Sequence, residues 1–135
     1  MHRLIILIII CLLDTTSFAG EPEKETKTTK SGLQYTSLIE GTGATPGSTD
    51  TVSVNYRGTL LNGREFDSSY KSGRPTEFRL NNVIKCWTEG LQMMKVGGKA
   101  ELVCPSNLAY GDEGIVGSVP RFATLIFEVE LLAVK

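Results

Sequence analysis

The segment "VIKCWTEGLQMM", residues 83–94, constrains this chain more than any other. Val83, Trp87, Leu91 and Met94 fall at helical spacing and form one apolar stripe over about three turns. The stretches around it alternate with period two. "TVSVNYRGTL" puts Val52, Val54 and Tyr56 on one side of a strand, and "TEFRL" does the same with Phe78 and Leu80. "ATLIFEVELLAVK" reads as the longest strand, with Leu125, Phe127, Val129 and Leu131 on one face. A lone amphipathic helix among strands must bury its stripe against a sheet. The expected class is therefore α+β, a curved antiparallel sheet half-wrapped around a single short α-helix.

Connections fit that plan. Asn62-Gly63 is a strong hairpin signal, with a returning strand through Phe66. "GLQYTSLIE" supplies an earlier strand, and "KAELVCP" a later one stopped by Pro105. Gly97 or Gly98 is expected to end the helix in a left-handed cap. "GTGATPGSTD" and "SNLAYGDEGIVGSVPRF" read as loops, the second with one helical turn at "NLAY".

The N-terminus reads differently. Arg3 precedes an apolar run over 4–13, and Ser17 and Ala19 precede Gly20. The run is too short to span a bilayer and suits a secretory signal, with an uncleaved anchor as the alternative. Cys11 follows Ile10, where a lipoprotein signal wants Gly or Ala. We expect residues 1–19 to be removed after Ala19 and the chain to be exported, periplasmic or secreted. Residues 20–31, "GEPEKETKTTKS", read as a flexible charged arm, and 32–135 as the folded domain.

Composition removes several functions. Lys and Arg (14) nearly balance Asp and Glu (15), so nothing points to nucleic acid. The one histidine is His2, inside the expected leader. The rest of the chain thus lacks the imidazole of Ser-His-Asp or Cys-His machinery and of His-containing zinc sites. No metal or cofactor is expected. The spacing of Cys86 and Cys104 matches neither a CxxC redox pair nor a metal knuckle. A disulfide in an oxidising compartment and two buried free thiols are both open to them, and the free thiols are the preferred reading.

Four segments in order, "VSVNYRGTLLNGREFDSS", "VIKCWTEGLQMM", "LAYG" and "ATLIFEVELLAV", resemble the FKBP-type peptidyl-prolyl cis-trans isomerases across roughly residues 32–135. The short link between "TEFRL" and "VIKCW" is similar to the macrophage infectivity potentiator group. That group's long dimerising helix has no counterpart ahead of Gly32, and a monomer is expected.

The resemblance implies rotation about X-Pro bonds of protein segments, and rapamycin-type macrolides as inhibitors. It places Asp67, Tyr110, Phe127 and Trp87 in the catalytic pocket, with Trp87 as its floor. It assigns substrate binding to Tyr56, Phe66, Val83, Ile84, Ile115 and Val119, a backbone N–H of the Val83–Ile84 pair meeting a substrate carbonyl. Thr76 stands where many members carry an aromatic, Ile115 and Ser118 change the flap loop, Arg121 replaces a second proline, and Cys86 replaces a glycine. These differences bear on substrate preference and macrolide affinity. The alternative function is a non-catalytic peptide-binding or chaperone module on the same fold. An apolar carrier is disfavoured, because repeated up-and-down strands are missing. Taken singly, Trp87 reads as core and Asp67 as a turn residue bonding its own backbone. Taken with the family motifs, Asp67 reads as a pocket carboxylate held by a hydroxyl such as that of Tyr56.

Overall fold

In a computed structural model the described residues are 24–135, so the expected leader and Gly20 lie outside them. The elements run β1 (Thr26–Thr28), β2 (Gln34–Ile39), β3 (Thr51–Leu60), β4 (Glu65–Ser68), β5 (Thr76–Arg79), α1 (Lys85–Leu91), β6 (Lys99–Cys104) and β7 (Leu125–Val134). The sheet is ordered β1-β2-β6-β7-β3-β4, with β5 also paired to β3. All pairings are antiparallel.

Two ten-residue strands form the spine, β3 and β7 pairing from Val52↔Val134 to Leu60↔Leu125. Alternation sends Val52, Val54, Tyr56 and Leu60 of β3 inward beside Leu125, Phe127, Val129 and Leu131 of β7. Cys86, Trp87 and Leu91 of α1 close this face. At Gly90 an added Cβ would lie 2.9 Å from both terminal methyls of Leu102, so the missing side chain is what lets α1 sit so near β6.

Four expectations change. The helix is seven residues long rather than about three turns. Val83 is extended (φ −119°, ψ 176°) after a 3₁₀ turn at Leu80–Asn82, and Ile84 is the N-cap. Beyond Leu91 the bonds tighten, Met93 N–H to Gly90 O at 3.0 Å and Met94 N–H to Leu91 O at 3.1 Å. β-branched Val83 and Ile84 at one end and Gly90 at the other are weak helix formers, which leaves the stripe longer than the helix. Gly97 (φ +94°) turns the chain into β6 rather than capping α1.

The arm expected over 20–31 contains β1, which pairs Thr26↔Thr36, Lys27↔Tyr35 and Thr28↔Gln34. All three of its residues are exposed, so backbone pairing holds it and no apolar period reveals it. Finally, Cys86 and Cys104 form a disulfide, overturning the free-thiol reading. Packing of α1 on the end of β6 brings their Cα atoms to 5.8 Å, inside the span of about 4.4–6.8 Å that a disulfide needs.

Candidate active site

A cavity of about 400 Å³ opens at the start of α1, lined by Tyr56, Asp67, Phe78, Asn82, Val83, Ile84, Trp87, Tyr110 and Phe127. β3, β4, β5, α1 and β7 each contribute a side chain, because the sheet curls towards the helix and brings its inward aromatics together. Trp87, only 3% exposed, has three ring neighbours: Tyr56 at 5.1 Å, Phe78 at 5.3 Å and Phe127 at 5.4 Å between centroids. All three cross edge to face, at 81–87°, the arrangement that the aromatic quadrupole favours. These rings surround the indole that floors the cavity, and its buried Nε1–H has no hydrogen-bond partner among the described residues.

Polar groups stand at the rim. Tyr56 Oη donates to Asp67 Oδ2 at 2.8 Å. The position of Asp67 depends on a bulge. β3 pairs Arg57↔Ser68, Gly58↔Asp67 and then Thr59↔Glu65, which leaves Phe66 as the extra residue. In a regular strand Phe66 and Asp67 would face opposite sides. With the bulge, Phe66 packs on Phe127 (centroids 5.6 Å) over the side-chain-free face of Gly58, while Asp67 lines the cavity. Turn bonding falls instead to the serines that follow. Lys71 N–H donates to Ser68 Oγ at 3.3 Å, and Tyr56 N–H to Ser69 Oγ at 2.9 Å, anchoring the loop to β3 beside the site.

Burial pushes the Tyr56 phenol well above its ordinary range, and the bond to the Asp67 carboxylate pushes it further. Tyr110 is raised by burial and then by the charge of Asp67. Both hydroxyls therefore stay protonated near neutrality; Tyr56 donates to Asp67, and Tyr110 keeps a proton to donate. The Ile84 N–H, just ahead of α1, donates to no backbone acceptor among the described residues. The site thus offers an apolar floor, one carboxylate and donors on its walls. Among the described residues no group of three His, Cys, Asp or Glu side chains is placed to hold a metal.

Seven of the ten site residues expected from the sequence line this cavity: Asp67, Tyr110, Phe127, Trp87, Tyr56, Val83 and Ile84. Phe66 stands behind Phe127 rather than on the wall. Ile115 and Val119 bond each other in an isolated bridge, N–H to O at 2.8 Å both ways, and line a separate groove with Arg64 and Arg121. The tight Ile115–Val119 turn folds the flap loop on itself, which keeps both away from the cavity described here. Phe78 and Asn82 line the cavity as well and are not among those ten. The alternation of "TEFRL" already turned Phe78 inward, and its aromatic ring was the available signal; Asn82 had none.

An antiparallel sheet curled over one short helix, with a tryptophan-floored aromatic cavity at the helix start, defines an FKBP-like domain. The chain belongs to the FKBP-type peptidyl-prolyl cis-trans isomerase family, whose model matches residues 43–132. It is similar to the FKBP-type peptidyl-prolyl cis-trans isomerase FkpA of Escherichia coli strain K12, 53% identical over 113 residues, 84% of this chain and 42% of that protein. It is also similar to outer membrane protein MIP of Legionella longbeachae, 48% identical over 105 residues, 78% of this chain and 45% of that protein. The crystal structure of FkpA from Escherichia coli matches with a TM-score of 0.80 at 50% identity, covering 89% of this chain and 55% of that one. The chain spans less than half the length of these two curated relatives.

Proposed function

We propose that this chain is an exported peptidyl-prolyl cis-trans isomerase, acting as a monomer on X-Pro bonds of unfolded or extracellular proteins. The observation that carries the reading is the apolar cavity floored by Trp87, with Asp67, Tyr110 and the free Ile84 N–H around its rim. Export is supported by the signal-like pattern of residues 1–19.

The chemistry needs no nucleophile. Resonance across the peptide bond sets a barrier of about 18–20 kcal/mol and separates charge between oxygen and nitrogen. Twisting the bond removes that resonance and shrinks the dipole, so a dry aromatic site disfavours the planar ground state more than the twisted transition state. The proline ring lies on the Trp87 indole, with Tyr56, Phe78 and Phe127 as walls. The Ile84 N–H and Tyr110 hydroxyl hold flanking carbonyls while the bond turns. Lowering the barrier by about 4 kcal/mol would accelerate rotation roughly a thousandfold.

The test is isomerisation of a short proline peptide, followed without a coupling protease, with and without a rapamycin-type macrolide. Acceleration that the macrolide suppresses is expected. No acceleration by a folded sample that still suppresses aggregation of an unfolded client would favour the binding-module alternative.

A further inference from the structure

Cys86 and Cys104 are fully buried, and their disulfide joins the two segments that carry the floor and one wall of the cavity. Cys86 directly precedes Trp87 in the first turn of α1. Cys104 ends β6, from which the chain runs through a 3₁₀ turn at Ser106–Leu108 to Tyr110. At seven residues, α1 is too short to hold its shape alone, and no side chain caps its N-terminus. The orientation of its first turn, and so of the indole, depends on tertiary restraint.

Bonded sulfurs lie about 2 Å apart. Separate heavy atoms in contact need roughly 3.5–4 Å. Reduction therefore demands extra space where neither cysteine has any exposed surface. A close-packed interior supplies such space only by shifting rotamers or backbone. At the far end of α1, Gly90 faces Leu102 of β6 so closely that even a Cβ would meet its methyls at 2.9 Å, so this end of the helix is closely packed on the sheet. The movement is left to the first turn of α1, which carries Trp87.

We propose that Cys86 and Cys104 are positioning residues for the proline site: their disulfide holds Trp87 at the depth that binds proline, and reduction displaces the floor. This rests on the reading of the cavity as a proline site. It ties the site to the oxidising side of a membrane, since a chain kept reduced folds with a poorer pocket.

Oxidised protein is compared with protein unfolded, reduced and refolded in reducing buffer, both checked by far-UV circular dichroism. The reduced, folded form should show a shifted Trp87 emission and a KM for the proline peptide raised roughly three- to tenfold, with kcat changing less. Unchanged emission and KM, with only a lower Tm, would mean a purely structural crosslink and overturn the proposal. If the reduced chain does not fold, Cys86→Val/Cys104→Val, which keeps two unbonded side chains in contact at the same buried positions, is measured in its place. An unchanged KM there also overturns the proposal, and a raised one supports it. Should the oxidised protein neither bind nor isomerise the peptide, the proposed function fails, while Trp87 emission still reports whether the bond positions the indole.

Discussion

Asp67 is exposed, accepts from Tyr56, and pairs with no cation among the described residues. Its influence falls on phenols rather than on a proton relay. No histidine lies in the described residues, so no imidazole is there to serve as a general base near neutrality. We expect kcat/KM to be nearly flat from about pH 6 to pH 8; a bell-shaped profile would contradict a desolvation mechanism. Tyr56 and Tyr110 have folded pKa values raised above the unfolded one, so the native state holds their protons more tightly. Their contribution to stability is fully present below about pH 10 and is lost as pH rises towards the folded values. Denaturant midpoints should show that decline only on the alkaline side. With the Tyr110 hydroxyl holding a substrate carbonyl as proposed, Tyr110→Phe would remove one neutral hydrogen bond worth about 0.5–1.5 kcal/mol, and the rate should fall by roughly tenfold or less. Abolished activity in a folded Tyr110→Phe protein would assign the phenol a chemical step.

At the scale of elements, the bulge between β3 and β4 decides the site. It works because Gly58 has no side chain: a Cβ there would lie 2.7 Å from Phe66 Cζ and 2.8 Å from Phe127 Cε1. By propensity alone, Gly→Ala inside a strand would gain about 0.5–1 kcal/mol. Two ring atoms of packed aromatics cannot retreat as a flexible chain end can, and overpacking costs about 1–3 kcal/mol. Gly58→Ala should therefore lower Tm and push Phe127 into the cavity, weakening proline-peptide binding followed by Trp87 fluorescence. A Gly58→Ala protein with higher Tm and unchanged binding would show that the rings have room. No sequence period marks this bulge. "GREFDSS" reads as a plain strand entering a turn, and only the pairing with β3 exposes the extra residue.

For the whole molecule, the disulfide closes a loop between residues 18 apart, a constraint worth about 3 kcal/mol in the chain-entropy model. Thiol titration of the purified exported protein, unfolded without reductant, should find neither Cys86 nor Cys104 reactive. The same sample tests processing: cleavage after Ala19 removes Cys11, giving no free thiol and an intact mass that begins at Gly20. A titratable pair would rule the bridge out, and a soluble exported product retaining residues 1–19 would rule out export by cleavage.

Periodicity alone determined the class of this fold. Inward alternation at Val52, Val54, Tyr56, Phe127 and Val129, against one helical stripe, leaves α+β as the arrangement that buries both faces. The same patterns placed Trp87 and the inward aromatics, because burial is written in residue type and spacing. What stayed hidden depends on partners distant in sequence. Exposed β1 is held by backbone pairing with β2 and a Thr26–Thr36 hydroxyl bond, neither of which needs an apolar period. The Cys86–Cys104 bond needs α1 and the end of β6 docked within 5.8 Å. Phe66 leaves the wall, and Ile115 and Val119 leave the cavity, because a bulge and a two-way backbone bridge set their directions. Local pattern specifies which side chains seek the interior, and only tertiary pairing specifies which of them meet there.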